Sequence, residues 1–320
     1  MTTALVFPGQ GSQAVGMGKA LADRFPVAAE VFARVDAALG EKLSKTIFEG
    51  PEAELTLTAN AQPALMATSL AAMRALESEA GLDVARDIAF VAGHSLGEYS
   101  ALCAAGALTL EDAARLLRIR GAAMQRAVPV GVGAMAAILG LDFSEVAKVA
   151  AQAASEVDAA GAVCEAANDN GGGQVVISGT KAAVERAMEL AKLKGAKRAL
   201  PLPVSAPFHC ALMRPAAEAM TEALKTTSIS APKVPLVANV VASAVSDPAV
   251  IRDNLVAQVT GTVRWRESVL YMSAHGATRF VELGAGKVLA GLIKRIAEGA
   301  TVSSVGTPAD VAAFKAAAAN

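Results

Sequence analysis

The segment from residue 88 to residue 104 places a short motif between a strand and a helix. Ile88–Ala92 is an apolar run typical of a buried strand, and Gly-His-Ser-Leu-Gly follows it at 93–97. Gly-x-Ser-x-Gly in this setting is the signature of a nucleophile elbow, a tight turn that exposes a serine hydroxyl near a helix N-terminus. Ser95 is therefore the candidate nucleophile. The alternative is a tight turn in which Ser95 only caps the helix.

Strands and helices alternate in the same way over most of the chain. The predicted strands of this larger part are Thr3–Phe7, Ile88–Ala92, Leu236–Val241 and Arg279–Leu283, and helices are predicted near 17–39, 61–80, 111–127, 211–226, 250–259 and after Gly284. Alternation of this kind predicts the α/β class with a mainly parallel sheet, here as a large hydrolase-like domain.

The middle of the chain has a different order of elements. Strands are predicted at 134–139, 163–168, 174–178 and 197–200, and helices at 143–156 and 180–194. The order β-α-β-β-α-β is that of a ferredoxin-like unit. We therefore expect residues 131–201 to form a small ferredoxin-like inserted domain, and residues 1–130 and 202–320 to form the large catalytic domain.

Composition excludes several classes of protein. The chain has 320 residues, 53% of them hydrophobic, and a net charge of −1, so neither global disorder nor a general attraction to nucleic acid is expected. The longest apolar stretch, Tyr99–Leu110, is shorter than the roughly 18 residues of a membrane span. The N-terminus does not resemble a signal peptide. Three cysteines without C-x-x-C spacing indicate a reducing, cytoplasmic location.

A serine nucleophile needs a base, and the chain has only three histidines. His94 adjoins Ser95 on a sharp turn, so its ring is expected to point away from the hydroxyl. His275 is predicted at the end of a helix, on the surface. His209 lies in a loop whose path is held by the preceding prolines at 203 and 207, which makes it the candidate base. No acidic residue stands out as its orienting partner, and a backbone carbonyl is the alternative.

One arginine falls on the apolar side of a predicted helix. Along the helix near 111–127, Leu116, Leu117 and Met124 form one stripe, and Arg120 projects on that same stripe. A guanidinium on a buried face is costly unless an anion meets it. The anion is either an acidic side chain in a buried salt bridge or a substrate carboxylate, which the planar fork of arginine suits.

The first predicted strand ends in a glycine-rich loop, Gly-Gln-Gly-Ser-Gln-Ala at 9–14. The loose match to G-x-G-x-x-A suggests dinucleotide binding, but that reading requires a second strand ending in an acid about 20 residues on. Residues 27–39 indicate a helix instead, and no Gly-Lys-Ser/Thr of a Walker loop follows. The loop brings Gln10 to the carboxyl edge of the sheet, where active sites of such folds lie.

Taken together, these motifs resemble those of a known family. They are Phe-Pro-Gly-Gln-Gly-Ser-Gln at 7–13, Gly-His-Ser-Leu-Gly-Glu-Tyr at 93–99, Arg-Gly at 120–121, Gly-Gln-Val-Val-Ile-Ser-Gly at 173–179, His-Cys-Ala-Leu-Met at 209–213 and Gly-Ala-Gly-Lys-Val-Leu at 284–289. Their order and spread over nearly the whole chain resemble the malonyl-CoA:acyl carrier protein transacylases of type II fatty acid synthesis. The acyltransferase domains of polyketide synthases are similar.

The resemblance implies a role for each matched residue. Ser95 is expected to be acylated by malonyl-CoA, and His209 to be its base, held by the backbone carbonyl of Gln258. Gln10 and the Leu96 amide are expected to form the oxyanion hole. The last two implied residues are Arg120, for the free carboxylate of malonyl, and Asn168, as a candidate contact in the cleft.

The resemblance also implies the substrates. Malonyl-CoA is the expected donor and the phosphopantetheine thiol of holo-acyl carrier protein the expected acceptor, in a ping-pong reaction that supplies fatty acid biosynthesis. No permanently bound cofactor or metal, no nucleic acid and no membrane are expected, and we favour a monomer. Phe208 departs from the small polar residue that relatives often carry there, which narrows the expected cleft.

Alternative functions have their own expectations. A polyketide-pathway malonyl acyltransferase fits the same motifs. A serine hydrolase or thioesterase needs the elbow but has no use for Arg120, and a carrier-protein docking module without catalysis has no use for Ser95 and His209.

Overall fold

The computed structural model of the chain describes residues 2–157, 161–204 and 206–318. The strands are β1 (Thr2–Phe7), β2 (Ile88–Gly93), β3 (Gly133–Leu139), β4 (Cys164–Asp169), β5 (Gln174–Thr180), β6 (Arg198–Pro201), β7 (Leu236–Val237), β8 (Ala244–Val245), β9 (Ala277–Leu283) and β10 (Thr301–Val305). The helices are α1 (Lys19–Arg24), α2 (Pro26–Leu39), α3 (Leu43–Glu49), α4 (Glu52–Thr56), α5 (Thr58–Ala80), α6 (Val84–Asp87), α7 (Gly97–Ala104), α8 (Leu110–Ala127), α9 (Phe143–Glu156), α10 (Lys181–Leu193), α11 (Arg214–Lys225), α12 (Pro248–Ala257), α13 (Trp265–Ala274), α14 (Val288–Ile296) and α15 (Pro308–Ala318).

The larger sheet has the strand order β10-β9-β1-β2-β7-β8 and is parallel except for the last strand. Its central strand β1 is apolar on both faces: Ala4 and Val6 belong to one buried cluster, Leu5 and Phe7 to another. Burial on both sides explains why β1 is a continuous apolar run. Phe7 pairs with Gly93, so the loops that follow β1 and β2 start side by side at the carboxyl edge.

The second sheet is antiparallel, with the order β4-β5-β3-β6. Helices α9 and α10 pack on it and share a separate hydrophobic core, which includes Ile138, Val146, Ile177 and Ala187. The strand order and the β-α-β-β-α-β sequence are those of a ferredoxin-like unit. The predicted fold class, a mainly parallel α/β sheet with a ferredoxin-like insertion, is confirmed. The domain limits at 130/131 and 201/202 stay a prediction.

The end of β4 is tied to the larger part of the protein. The Val263 amide donates to the Ala167 carbonyl at 2.8 Å, and the Asp169 amide donates to the Val263 carbonyl at 2.9 Å. Asp169 also forms an ion pair with Arg266 of α13 at 2.8 Å. These bonds hold Asn168, which lies between the two bonded residues, against the carboxyl edge of the larger sheet.

Several predicted boundaries were wrong. The strand predicted at Leu236–Val241 ends at Val237, because the chain there leaves the sheet and returns as the short antiparallel strand β8. Helix α5 begins at Thr58, three residues earlier than expected, which places Pro63 inside the helix rather than in its first turn. Within the described ranges, no helix is both long and apolar enough to cross a membrane.

Candidate active site

Ser95 lies on a sharp turn between β2 and α7. Its φ is +53°, a left-handed conformation that is costly for a residue with a side chain and is found mainly where function requires it. The flanking glycines make the turn possible. A Cβ at Gly93 would lie 1.9 Å from the Gly97 carbonyl, and one at Gly97 would lie 2.2 Å from the Phe7 carbonyl oxygen. The predicted elbow geometry therefore rests on the absence of both side chains.

Asn239, two residues after the neighbouring strand β7, supports the turn. Its Oδ1 accepts a hydrogen bond from the Ser95 amide at 2.8 Å, and its Nδ2 donates to the Gly93 carbonyl at 2.7 Å. The Asn239 side chain thus pairs with the Ser95 amide and the Gly93 carbonyl. This contact offsets part of the cost of the left-handed conformation.

His209 is within hydrogen-bonding distance of the serine. Its Nε2 lies 2.7 Å from Ser95 Oγ, and its Nδ1 lies 2.9 Å from the backbone oxygen of Gln258. Because a carbonyl can only accept, Nδ1 carries the proton and Nε2 is free to accept one. Burial, together with the nearby charge of Arg120, lowers the pKa of His209 to about 3, so the resting imidazole is neutral.

The other two histidines lie where the sequence suggested. His94 Nε2 is 2.9 Å from Asn170 Oδ1, so this ring faces the small sheet and not the Ser95 hydroxyl. Burial lowers the pKa of His94. His275 is exposed at the end of α13, with Nδ1 2.8 Å from the Tyr271 carbonyl oxygen. Of the three, only His209 contacts Ser95.

Arg120 lies on the buried face of α8. Thr109 caps the N-terminus of this helix, since its hydroxyl accepts from the Asp112 amide. The guanidinium is 1% exposed. Its three acceptors are Gln62 Oε1 at 2.8 Å, Gln258 Oε1 at 2.8 Å and Ser95 Oγ at 3.1 Å.

All three of these acceptors are neutral. Among the residues the structure describes, no acidic side chain forms an ion pair with Arg120, and its Nε–H has no acceptor. The buried Glu98 attracts Arg120 from beyond ion-pair distance, but a buried cation hydrogen-bonded only to neutral oxygens keeps part of its charge uncompensated. This charge lies directly beside the candidate nucleophile.

Gln10 and Leu96 lie on either side of Ser95 in the cleft wall. The Gln10 side chain donates to Thr58 Oγ1 at 3.1 Å, so it points toward α5. The main-chain amides of Gln10 and Leu96 have no acceptor within the described part of the chain. Both amides are therefore available as hydrogen-bond donors to a ligand atom near Ser95.

A cleft of about 620 Å³ opens in front of Ser95, between the two sheets. Its lining includes Ser95, His209 and Arg120. Further lining side chains come from the small sheet, from residues 202–204 and 208, and from α14, and they include Asn168, Val176, Leu202, Phe208 and Leu289. The volume suits a small acyl group with part of a thioester arm. The described residues include no cluster of His, Cys, Asp and Glu that could hold a metal ion.

Three polar residues of the site were missed by sequence reasoning. Glu98 is fully buried on α7, Asn239 follows β7, and Gln62 lies inside α5. Every residue of α7 is buried, so helical periodicity, which found Arg120, does not single out Glu98. Asn239 was hidden by the strand predicted through Val241, which left no reason to place it at the sheet edge.

A serine on a strand-to-helix turn beside a histidine, at the carboxyl edge of a mainly parallel sheet, is typical of α/β enzymes that transfer or hydrolyse acyl groups. Residues 4–313 match the acyl transferase domain family. The malonyl CoA-acyl carrier protein transacylase of Salmonella typhimurium is 48% identical over 310 residues, which cover 97% of each protein. The chain therefore belongs to the acyl transferase domain family and, within it, to the malonyl CoA-acyl carrier protein transacylases.

Solved structures are similar over the same length. An acyl-carrier-protein-S-malonyltransferase from Bartonella henselae has a TM-score of 0.95 and 56% identity, covering 100% of both chains. A malonyl-transacylase in complex with its type II PKS acyl-carrier protein has a TM-score of 0.93 and 42% identity, covering 99% of this chain and 100% of that chain. The expected family is thus confirmed by sequence and by fold.

Proposed function

We propose that the protein transfers malonyl from malonyl-CoA to the phosphopantetheine thiol of acyl carrier protein, through a malonyl ester on Ser95. The observation that carries this proposal is the buried Arg120, whose Nη2 lies 3.1 Å from Ser95 Oγ and whose acceptors are all neutral. Malonyl differs from acetyl by a free carboxylate. A guanidinium beside the nucleophile binds that carboxylate by charge-assisted hydrogen bonds.

The first half of the reaction loads the enzyme. His209 Nε2 takes the proton of the Ser95 hydroxyl, and Oγ attacks the thioester carbonyl of malonyl-CoA. The amides of Gln10 and Leu96 stabilise the oxyanion of the tetrahedral intermediate. The carbon–sulfur bond then breaks, and the coenzyme A sulfur leaves with the proton that His209 held. Malonyl remains as an ester of Ser95.

The second half passes malonyl to the carrier. The phosphopantetheine thiol gives its proton to His209, and its sulfur attacks the ester carbonyl. The ester bond to Oγ breaks, and Ser95 regains its proton from His209. Both halves use one acyl position and one base, so the two thiols bind in turn.

The imidazole works without an acidic partner in this scheme. The Gln258 carbonyl accepts from Nδ1–H and fixes both the tautomer and the orientation of the ring. Because that acceptor is neutral, the imidazolium formed during the reaction is less stabilised than beside a carboxylate. It therefore gives up its proton readily to the leaving sulfur.

The remaining roles concern the cleft and its surroundings. We propose that Asn168 contacts the bound acyl arm, since it is buried beside the cleft and fixed by the β4 contacts. Residues 131–201 would form the domain that covers the nucleophile, and residues 1–130 and 202–320 the catalytic domain. The steps consist of acyl and proton transfers that these residues supply, so no resident cofactor or metal is required.

The cellular setting is part of the same proposal. We favour fatty acid biosynthesis in the cytoplasm, with the protein acting as a monomer and without nucleic acid or membrane partners. The three cysteines are all unpaired, which fits a reducing compartment. A role in a polyketide pathway is the second candidate, because one of the similar structures is bound to a type II PKS acyl-carrier protein.

Labelled malonyl-CoA tests the function directly. We expect the label to become covalently attached to the wild-type protein and to discharge onto holo-acyl carrier protein. Rapid release of free malonate would instead indicate a hydrolase, and absence of labelling would indicate a docking module. The Ser95→Ala variant is the control. An adduct of normal yield on that variant would overturn the assignment of the nucleophile.

A further inference from the structure

A carboxyl group is buried directly behind the active site. Glu98 is fully buried on α7, three residues after Ser95. Its Oε2 accepts two hydrogen bonds of 2.9 Å, one from the Asn239 amide and one from Gln258 Nε2. Its Oε1 has no partner among the described residues. Burial raises the pKa of Glu98 to about 7, a cost that an apolar side chain at this position would avoid.

Both hydrogen-bond donors to Glu98 belong to residues that hold the catalytic groups. The Asn239 side chain accepts from the Ser95 amide. The backbone carbonyl of Gln258 holds His209, and its side-chain Oε1 accepts from Arg120 Nη2 at 2.8 Å. Its Nε2 also donates to the Ser95 carbonyl at 3.0 Å. Glu98 is therefore linked to the nucleophile, to the base and to the arginine through a single intervening residue in each case.

The contact with Arg120 depends on which end of the Gln258 amide faces it. An amide has an oxygen that accepts and a nitrogen that only donates, and the two ends have nearly the same shape. With the amide reversed, Nε2 would meet the Arg120 guanidinium, which also only donates. Glu98 Oε2 and the Ser95 carbonyl both accept from Nε2, at 2.9 and 3.0 Å, so both favour the orientation that turns Oε1 toward Arg120. Glu98 is the side chain of the two, and therefore the acceptor that substitution can change.

We infer that Glu98 is a positioning residue for malonyl selectivity, because its Oε2 holds the Gln258 amide in the orientation that aligns Arg120. The inference rests on the proposed function, in which Arg120 binds the malonyl carboxylate. Within that function it assigns selectivity to a residue that contacts neither the substrate nor the reacting atoms. It attributes the effect to the acceptor atom of Glu98 and not to its negative charge.

Two variants separate the acceptor from the charge. Glu98→Gln removes the charge and keeps an oxygen at the Oε2 position. Glu98→Asp keeps the charge but withdraws the carboxylate by about 1.5 Å, the length of one carbon–carbon bond, which breaks the hydrogen bond to Gln258. The readout is the ratio of kcat/KM for malonyl-CoA to that for acetyl-CoA, measured as covalent loading of Ser95 by mass spectrometry.

We expect Glu98→Gln to keep the malonyl-to-acetyl ratio within about threefold of wild type and Glu98→Asp to lower it about tenfold or more, the usual value of a hydrogen bond to a charged group. The reverse pattern would assign the effect to the charge, and unchanged ratios in both variants would show no positioning role. Either result overturns the inference. Wild type that loads no malonyl at all overturns the proposed function itself.

A second fully buried carboxylate, Glu282 of β9, provides a matched control. Glu282 accepts from the main-chain amides of Leu289 and Ala290 at 3.0 and 2.8 Å. Its hydrogen bonds within the described residues include none to Ser95, His209, Arg120 or Gln258. Glu282→Gln and Glu282→Asp are expected to lower Tm without changing the ratio. If they change it as much as the Glu98 variants do, general loosening of the fold explains both effects and the inference fails.

A second measurement does not depend on malonyl. The side-chain amide of Gln258 gives a resonance in ¹⁵N-labelled protein that is identified by its loss in Gln258→Met. Its chemical shift reports the hydrogen bonds that Nε2 donates. We expect it to stay near its wild-type position in Glu98→Gln and to move in Glu98→Asp. A resonance that is unchanged in Glu98→Asp would show that Glu98 does not hold this amide.

Discussion

Arg120 Nη2 donates a hydrogen bond to Ser95 Oγ at 3.1 Å, and the same hydroxyl lies 2.7 Å from His209 Nε2. The positive charge and the burial of the ring together lower the pKa of His209 to about 3. A malonyl carboxylate that pairs with Arg120 would cancel part of that charge, and His209 would become more basic when malonyl is present. Acetyl has no carboxylate, so the pKa of His209 would stay low when acetyl is the acyl group.

Replacing Arg120 by alanine tests the role of that charge. We expect Arg120→Ala to lower kcat/KM for malonyl-CoA by about 100-fold, the value of one to two charge-assisted hydrogen bonds, while acetyl transfer is kept or improved. The comparison is made by loading of both acyl groups. Arg115→Ala, on the exposed side of the same helix, is the control and should change neither rate. Equal losses for malonyl and acetyl would exclude a carboxylate-binding role.

His209 predicts a pH dependence of stability. Its pKa is about 3 in the folded protein and about 6.5 when unfolded. Between these values the unfolded chain takes up a proton that the folded chain does not, so stability is lost as the pH falls below about 6.5. Between pH 7 and pH 5 this group should lower the free energy of unfolding by about 2 kcal/mol.

The measurement is urea unfolding of the wild type and of His209→Gln at both pH values. The variant lacks the titrating group, so its free energy of unfolding should fall less between pH 7 and pH 5. The buried His94 titrates in both proteins and cancels in the difference. Equal pH dependence in the two proteins would show that His209 is not held neutral by the fold.

The elbow predicts that one methyl group disrupts the site. In Gly97→Ala the new Cβ would lie 2.2 Å from the Phe7 carbonyl oxygen, a backbone atom that cannot move without shifting β1. We expect a loss of a few kcal/mol in stability and of most Ser95 acylation. The control is Gly291→Ala in α14, where no heavy atom lies within 4 Å of the added Cβ. That variant should be neutral or slightly stabilising, as alanine favours helix.

Tm and the yield of covalent malonyl adduct are measured for both glycine variants. If Gly97→Ala were as stable and as active as Gly291→Ala, the close approach of α7 to β1 would not be a requirement of the site.

Phe208 predicts how large an extender the cleft accepts. Its side chain is mostly buried, lines the cleft and directly precedes His209. Phe208→Leu removes part of the ring volume, and we expect kcat/KM for methylmalonyl-CoA to rise relative to that for malonyl-CoA. Phe280→Leu removes the same volume at a core position that does not itself line the cleft, and it should leave the ratio unchanged. A ratio that moves equally in both variants would point to loosening of the whole fold.

Sequence reasoning succeeded where the signal was local or periodic. The elbow is five residues long and lies between a strand and a helix, and Arg120 stood out because helical periodicity placed it on an apolar stripe of α8. His209 was found because a serine needs a base and only three histidines were available. The two-sheet fold followed from the alternation of strands and helices.

The polar network behind the site was less accessible. Helix α7 is buried on all sides, so no polar stripe marked Glu98 as misplaced. Gln62 lies in the stretch of α5 that is also buried on all sides. Asn239 follows a strand of only two residues, and the sequence pattern did not show where that strand ends. The contact between Gln258 and His209 leaves no trace in residue types at all, because its acceptor is a main-chain oxygen; only the family resemblance suggested it.

Because the contact is made by a main-chain oxygen, the orientation of His209 is insensitive to substitution of the residue that provides it. Every amino acid contributes a carbonyl, so no single codon change at position 258 can delete the acceptor that orients His209. Substitution there reaches only the bonds of the Gln258 side chain, which join it to Arg120, to Glu98 and to the Ser95 carbonyl. A mutational scan of this position would therefore report changes in acyl-group selectivity and would not reveal the contact that orients the imidazole. In a triad built on aspartate, by contrast, one codon change can remove the orienting group.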